Sequence, residues 1–318
     1  MRRVMILFAL HITVVVNVVS LPTVVRSAAV ERPYVLVLGV AQDGGVPQAG
    51  TKDHPGWDDP AHHWLAACLA IVDPVTGQRW MLDATPDFRE QLHRLDVAAP
   101  AVGKPGLAGI FLTHAHMGHY TGLMHLGYEA MGADAVPVYT MPRMGDYLRD
   151  NGPWSQLVNY RNIEIRPLSD GATVKMNERL ELTAFQVPHR QEYSEVAGFM
   201  VRGPERAVLF IPDIDSWEEW DELGTTIESK IAEVDIAYLD GTFFAQGELP
   251  GRDMSGIPHP EIVESMDRFS MLPADERRKI RFIHFNHTNP VLEVGGEALQ
   301  EVERRGFRVA AEGDVEGL

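Results

Sequence analysis

Short apolar runs rich in Val, Ile, Leu and Phe recur along the chain and predict buried β-strands. Most of these runs end at Gly, Pro, Asp or His, residues typical of the turns and loops that follow a strand. Their length suits strands better than helices. The predicted strands are Tyr34–Val40, Cys68–Val72, Trp80–Asp83, Gly109–Thr113, Val136–Thr140, Leu180–Val187, Ala207–Ile211, Ile236–Leu239 and Arg281–Phe285.

Other segments carry apolar residues at helical spacing. The segment Pro86–Leu95 opens with proline, which suits the first turn of a helix, and places its apolar residues on one face. Similar patterns occur in Glu261–Phe269 and Glu297–Arg305, and Tyr120–Met131 is a further predicted helical run. Strands interleaved with helices predict a mixed α+β architecture in which sheet packs between helices.

The first 29 residues differ from the rest of the chain. Two arginines precede the apolar run Val4–Val19, and three small residues, 27–29, close the segment. This is the layout of a cleaved secretory signal, although the apolar run is long enough for a retained membrane anchor. We expect residues 1–29 to be a signal peptide, residues 30–318 to form one domain, and the mature protein to be periplasmic or secreted.

The net charge of the chain limits the classes of partner that it can bind. The chain has 28 Lys and Arg residues against 45 Asp and Glu residues, a net charge of −17. Phosphate polymers and anionic membrane surfaces repel such a protein, and its one basic cluster, within residues 277–281, is typical of a solvated helix end. We expect a small-molecule substrate, no nucleic acid and no stable membrane partner after cleavage, with the oligomeric state left open.

Three histidines fall within six residues directly after a predicted strand. His114 and His116 are two positions apart in an extended segment, so their side chains point the same way and can share one cation. His119, in the first turn of the next predicted helix, can reach a neighbouring position. Neutral imidazole nitrogen is a good ligand for zinc and other divalent first-row metals. The triple therefore predicts a metal site.

Further candidate ligands stand where other apolar strands end. They are His189, Asp213 and His284. The two carboxylate oxygens of Asp213 suit a bridging role between two ions. With the histidine triple, these residues suffice for one or two zinc ions with a position open for water, and iron or manganese would suit the same ligands.

Several other polar residues are weaker candidates. Asp43 lies in a glycine-rich turn and is a candidate for contact with metal or substrate. Asp83 and Asp87 can orient ligand histidines, although Asp87 can equally cap a helix. The lone cysteine, Cys68, lies in an apolar run and is expected to be buried rather than nucleophilic. Three loop histidines can form a lid or a second metal patch, or simply face solvent: His54, His62 and His63.

The order His114-Ala-His116-Met-Gly118-His119 resembles the HxHxDH signature of the metallo-β-lactamase superfamily. Most of residues 34–310 are similar to one branch of it, the pyrroloquinoline-quinone biosynthesis protein B (PqqB) family. The resemblance implies an αββα four-layer sandwich with a metal site at the sheet edges. The segments that carry it are 38–48, 83–89, 239–244, 256–260 and 283–290.

The resemblance also implies roles for the candidate residues. The first metal would be held by His114, His116 and His189, and a second by Asp213, His119 and His284. His259, in a loop rich in glycine and proline, resembles by position a histidine that donates a proton in the RNA-processing branch of the superfamily; an exposed loop histidine is the alternative. With Asp213 it completes the predicted catalytic pair.

One departure from the signature concerns the second metal. Gly118 stands where the signature has an aspartate that binds this ion, and glycine has no side chain to do so. The second site is therefore lost, weakened or rebuilt by another group. His287, three residues after His284, is the nearest candidate replacement in the sequence.

These observations predict an exported metal-dependent hydrolase that uses metal-activated water on an ester, lactone, amide or phosphodiester. The alternative is a non-catalytic metal or cofactor binding protein of the PqqB type. An iron-dependent oxidoreductase is a third possibility, because histidine and carboxylate ligands also suit iron.

Overall fold

A computed structural model of the protein describes residues 32–254 and 256–318, so the predicted signal peptide lies outside the described residues. This part of the chain forms two seven-stranded sheets. The first has the order β14-β1-β2-β3-β4-β5-β6 and the second β13-β12-β11-β10-β9-β8-β7. The first sheet comprises β1 (Tyr34–Gly39), β2 (Cys68–Asp73), β3 (Gln78–Leu82), β4 (Gly109–Phe111), β5 (Val136–Thr140), β6 (Ile163–Pro167) and β14 (Val315–Gly317). The second comprises β7 (Thr173–Lys175), β8 (Glu181–Gln186), β9 (Ala197–Arg202), β10 (Ala207–Ile211), β11 (Ile236–Asp240), β12 (Ile280–Ile283) and β13 (Arg308–Val309).

Successive side chains of β1 pack into two different core clusters, and this shows how the layers are arranged. Val35 and Val37 belong to a core cluster shared with strands of the second sheet, whereas Leu36 and Leu38 belong to a cluster that includes residues of the helices on the other face. Side chains in a strand alternate between its two faces, so a strand that is apolar at both sets of positions is covered on both sides. The sheets therefore pack face to face, with helices outside. The predicted αββα sandwich is confirmed.

The helices cover the outer faces of the sheets. None in the described part of the chain is both long and apolar enough to cross a membrane. They are α1 (Phe88–Ala98), α2 (Met117–Tyr120), α3 (Pro142–Asp150), α4 (Trp154–Asn159), α5 (Trp217–Glu222), α6 (Ile227–Ala232), α7 (Ile262–Arg268), α8 (Ala274–Arg277) and α9 (Glu297–Arg304). Short 3₁₀ helices occur at Pro55–Trp57, Pro60–His62, Thr121–Leu126, Phe269–Met271 and Pro290–Leu292.

One predicted helix is wrong. The segment Tyr120–Met131 contains the last residue of α2, the 3₁₀ helix Thr121–Leu126 and turns. Gly122 accounts for part of the difference, because a Cβ there would lie 2.2 Å from the carbonyl oxygen of Thr85. The segment is thus pressed against the loop that leads into α1, and close backbone contact replaces a regular apolar helix face.

Candidate metal centre

Polar side chains from both sheets converge where their strands end. The first sheet contributes residues that follow β1, β3 and β4, and the second contributes residues that follow β8, β10 and β12 together with the last residue of β11. Because the strands themselves are buried and apolar, their ends are where the chain can place reactive groups. The converging residues are Asp43, Asp83, His114, His116, His119, His189, Asp213, Asp240 and His284.

A first group joins His114, His116, His189 and Asp213. One candidate ligand atom from each lies within 4.8 Å of those of the others. His114 Nε2 is 3.4 Å from Oδ2 of Asp213, and His189 Nε2 is 3.3 Å from Oδ1 of the same carboxylate. His116 Nδ1 is 3.2 Å from His189 Nε2. Three imidazoles and one carboxylate therefore surround a common point.

A second group joins Asp43, His119 and His284, again within 4.8 Å of one another. His119 Nε2 is 3.3 Å from Asp43 Oδ1 and 3.3 Å from Asp213 Oδ2. His284 Nε2 is 3.8 Å from each of the same two oxygens. Asp213 therefore lies between the groups. Its Oδ1 is near His189 of the first group, and its Oδ2 is near His114 of the first group as well as His119 and His284 of the second. The structure thus gives this carboxylate a bridging position.

The buried atoms that face this region lack hydrogen-bond partners. A buried polar atom without a partner is destabilising, and most such atoms in folded proteins are paired. Five such atoms, distributed over the two neighbouring groups, therefore fit one or two cations, and nitrogen and carboxylate oxygen together suit zinc. The five are Asp43 Oδ1, His114 Nε2, His119 Nε2, Asp213 Oδ1 and His284 Nε2.

The other nitrogen of each histidine is held by a neighbour. Asp83 Oδ2 is 2.8 Å from His119 Nδ1, and the same carboxylate accepts hydrogen bonds from the backbone nitrogen and hydroxyl of Thr113. Such partners fix the tautomer and orientation of a ligand ring. The remaining pairs are His114 Nδ1 with Thr113 Oγ1 at 3.0 Å, His116 Nε2 with Glu192 Oε2 at 3.0 Å, His189 Nδ1 with Asp215 Oδ1 at 2.6 Å and His284 Nδ1 with Thr242 Oγ1 at 2.9 Å.

Two of these residues have unusual backbone conformations. Asp83 has φ 70° and His284 has φ 71°, in the left-handed region that favours glycine. Such conformations are sparsely populated and persist where surrounding contacts determine them. Here both turn the chain sharply at the end of a strand and direct a polar side chain to the centre.

The pKa values of the candidate ligands are shifted by burial and by their charged neighbours. Burial would raise the pKa of Asp213, but the surrounding histidines, His189 foremost, hold it well below the usual value. Burial would raise the pKa of Asp43, but the neighbouring imidazoles of His119 and His284 lower it well below its usual value. Burial lowers the pKa of His114 well below its ordinary range. Two carboxylates are therefore ionised and His114 is neutral, the forms that bind metal.

His119 behaves in the opposite way. Burial lowers the pKa of this histidine, but the charge of Asp83 and the nearby carboxylates of Asp213 and Asp43 raise it well above the usual value. In the absence of a cation, the proton on His119 therefore partly balances the carboxylates around it. A metal ion at this position has to displace that proton.

His259 lies at the edge of the cluster rather than in a solvent-exposed loop. Its Nδ1 is 2.8 Å from Asp240 Oδ2 and 3.3 Å from Asp213 Oδ1. Burial lowers its pKa, but the neighbouring carboxylates, Asp240 foremost, raise it to about 9. His259 is therefore protonated at neutral pH and lies beside the candidate bridging carboxylate.

Asp43 occupies the place that Gly118 leaves free. A Cβ at position 118 would lie 2.0 Å from Oδ1 of Asp43 and 2.4 Å from its Cα. The signature motif gives no sign of this substitution, because Asp43 follows a different strand. The available signals were its position at a strand end and its glycine-rich turn.

Within the described part of the chain, His287 belongs to neither of these two groups. It lines a neighbouring cavity with Gln42 and Asn286. Two other candidates have contacts away from the cluster: Asp87 accepts a hydrogen bond from the backbone nitrogen of Ala66, and His62 contacts Asp59. His63 and His54 likewise belong to none of the groups found in this part of the chain.

The sequence of the chain is similar to those of known proteins. The profile of the beta-lactamase superfamily domain matches residues 78–285. The chain is 26% identical over 311 residues to coenzyme PQQ synthesis protein B of Rhizobium meliloti (strain 1021), covering 88% of this chain and 96% of that protein. It is also 26% identical over 323 residues to the protein of the same name from Gluconobacter oxydans (strain 621H), with the same shares covered.

Solved structures share the fold. Zn²⁺-bound PqqB from Methylobacterium extorquens superposes with a TM-score of 0.73 at 22% identity, covering 90% of this chain and all of that one. A diphosphatase of the PhnP family superposes with a TM-score of 0.62 at 19% identity, covering 90% of this chain and 97% of that one. The predicted resemblance to the PqqB-like branch of the superfamily is confirmed.

Proposed function

We propose that this chain, which belongs to the beta-lactamase superfamily domain family, is a metal-dependent hydrolase. Its substrate would be a small molecule with an ester, lactone, amide or phosphodiester bond. The observation that carries the proposal is the set of five buried ligand atoms without partners around Asp213. A protein that only folds has no need to bury so many unpaired polar atoms together.

The proposed ligands follow the two groups of side chains. His114, His116 and His189 would hold one ion, His119, Asp43 and His284 would hold the other, and Asp213 would bridge them. We propose zinc in both positions, because nitrogen-rich sites with a carboxylate suit it, and iron or manganese is the alternative that metal analysis would reveal.

Zinc bound there would supply Lewis acidity, which lowers the pKa of water toward about 7 and polarises a carbonyl or phosphoryl oxygen. The protein's own residues would orient this chemistry. Asp83, Asp215 and Thr242 fix the imidazoles of His119, His189 and His284. Rigid placement matters because small displacements of catalytic groups reduce rates strongly.

His259 is the proposed proton donor. Asp240 holds its Nδ1 at 2.8 Å and keeps the ring protonated at neutral pH. The other ring nitrogen, Nε2, would then carry a proton available to a leaving group, and His259 also lines the adjacent cavity. General acids act within about 3 Å of the group they protonate.

A metal-dependent substrate screen tests the proposal. Purified protein freed of metal and then reloaded with zinc should hydrolyse at least one of a set of chromogenic esters, lactones, amides and phosphodiesters, in proportion to bound zinc. His259→Gln should lower kcat with little change in bound zinc, whereas His93→Gln, at an exposed position on α1, should match the parent. Zinc-loaded protein without turnover on any class would contradict the hydrolase proposal.

Similarity to the PQQ synthesis proteins along most of the chain favours one second candidate. In that case the metal centre would bind a metal or a cofactor without turnover. The screen separates the two functions, because a binding protein would take up zinc and a ligand but release no product.

The proposed location is the periplasm or the exterior of the cell, with residues 1–29 removed as a signal peptide. Export fits a small-molecule substrate and the excess of acidic residues, which disfavours nucleic acid and membrane surfaces. N-terminal sequencing of protein recovered from the periplasm or medium should begin near residue 30. Intact protein retained in the membrane fraction would support an anchor instead.

A further inference from the structure

We propose that a cavity beside the metal centre is the substrate pocket and that it selects substrates with a small anionic group, a carboxylate or a phosphate. The proposal rests on the proposed hydrolase function and specifies its substrate class. The cavity has a volume of about 390 Å³. This lies at the small end of ligand pockets, which commonly measure about 300–1,000 Å³.

The cavity adjoins both groups of candidate ligands through the loops that carry them. Gln42, in its lining, directly precedes Asp43, and Arg190 directly follows His189. His259 belongs to the lining and also lies 3.3 Å from Asp213. A molecule in the cavity would therefore have its reactive bond close to the centre and the rest of its structure against these loops.

The charge of the lining is opposite to that of the whole protein. The chain carries a net charge of −17, yet the described residues that line the cavity include Arg190, Arg252 and His259 and no carboxylate. Arginine presents several donors in a planar array that matches carboxylate and phosphate oxygens. The cavity is therefore a local site for an anion in a protein that repels polyanions at longer range.

One nearby carboxylate competes for Arg190. Glu192 Oε1 is 3.6 Å from Arg190 Nη1, while Oε2 of the same carboxylate contacts His116. The side chains of Arg190 and Glu192 are both about half exposed, and exposed ion pairs contribute little to stability. An anionic ligand in the cavity can therefore attract this guanidinium without breaking a strong internal bond.

Neutral donors complete the lining. His287 Nδ1 is buried without a hydrogen-bond partner. Asn286 Nδ2 donates to Gln42 Oε1 at 2.5 Å, which fixes both amide side chains at the cavity wall. His287 belongs to a cavity lining that also contains Arg190 and Arg252, so a ligand oxygen bound there would give its unpaired nitrogen a partner. The structure thus suggests a substrate-binding role for His287.

Calorimetry on zinc-loaded protein tests the anion site directly. The probes are inorganic phosphate and succinate, and the variants are the double substitution Arg190→Gln with Arg252→Gln and the control Arg166→Gln on β6. Loss of charged hydrogen bonds should weaken binding of at least one anion about tenfold or more in the double variant, and the control should match the parent. Unchanged affinity for both anions would overturn the proposal. Weakening of only one identifies the anion class.

A matched set of substrates relates this site to turnover. 4-Nitrophenyl acetate is neutral, 4-nitrophenyl hemisuccinate adds a carboxylate to the same ester, and bis(4-nitrophenyl) phosphate is an anionic diester. The double variant should lose more kcat/KM on an anionic member than on the neutral ester, and the control Arg166→Gln should keep the parent's values on all three. Equal losses on neutral and anionic esters would overturn the selection. Failure of the parent on all three would count against the hydrolase, and calorimetry would still decide anion binding.

Discussion

A Cβ at Gly118 would lie 2.0 Å from Oδ1 of Asp43, so these two residues cannot both carry a side chain in their present positions. The Asp43 carboxylate lies 3.3 Å from His119 Nε2. Glycine at the signature position thus makes room for a carboxylate supplied by the loop after β1. We infer that the acidic ligand has moved from one loop to another rather than disappeared.

Removal of the Asp43 carboxylate should remove one ion. The second group would then keep two imidazoles and a share of Asp213, one protein ligand fewer than before, so its affinity for zinc should fall. In Asp43→Ala, we expect the zinc content measured by plasma mass spectrometry to fall from two ions per chain to about one. The exposed Asp53→Ala is the matched control and should keep two. Equal zinc in both variants would show that Asp43 is not a ligand.

Exchange of the two residues provides a complementary test. Gly118→Asp alone forces a side chain into the Asp43 backbone and should destabilise the fold by about 1–3 kcal/mol. Addition of Asp43→Gly removes the overlap with Oδ1 but not the 2.4 Å approach to the Cα of residue 43, so the double variant should recover only part of the lost stability and of the second zinc ion. Chemical denaturation and metal analysis would measure both effects. A double variant no more stable than Gly118→Asp alone would contradict this spatial replacement.

Asp83 orients the ring of His119, so its substitution should lower the affinity of the protein for metal. Asp83 joins the ring of His119 to the backbone of Thr113 from a buried position. Loss of such an outer carboxylate usually reduces metal affinity by about 10–100-fold. Asp83→Asn should show this loss in competition with a chromophoric chelator, whereas Asp134→Asn at an exposed position should not. Unchanged affinity in Asp83→Asn would count against the orienting role.

Metal binding should release a proton. The pKa of His119 is raised well above its usual value in the ion-free protein, so the ring is protonated at pH 7 and must lose its proton to bind metal. Affinity for the second zinc ion should therefore rise with pH between about 6 and 8, by up to tenfold per unit for one proton. Calorimetry in buffers of different ionisation enthalpy counts the protons. Affinity independent of pH, with no proton released, would contradict a ligand role for His119.

Local sequence patterns predicted much of the fold and of the first group of ligands. Short apolar runs identified β1, β2 and β3, and the spacing of His114 and His116 predicted the shared cation site whose side chains the structure brings together. The strand β9 was missed although it is largely buried, because its run includes Gly198 and ends at Arg202. Short or mixed runs give a weak periodic signal.

The composition of the second group could not be read from local spacing. Asp43 and His119 meet only because β1 and β4 end at the same edge of one sheet. His287 appeared closer, since it lies three residues from His284, but the left-handed turn at His284 is followed by a segment that places His287 at the cavity wall. Proximity in sequence therefore favoured His287 as the replacement for the signature aspartate, whereas long-range packing places Asp43 beside Gly118.

Anomalous diffraction from crystals of the zinc-loaded protein, measured at the zinc edge, tests the central claim most directly. The account predicts two peaks, one in contact with His114, His116 and His189 and the other with His119, His284 and Asp43, with Asp213 reaching both. A single peak, or a second peak that Asp43 does not contact, would contradict the replacement of the signature aspartate by Asp43.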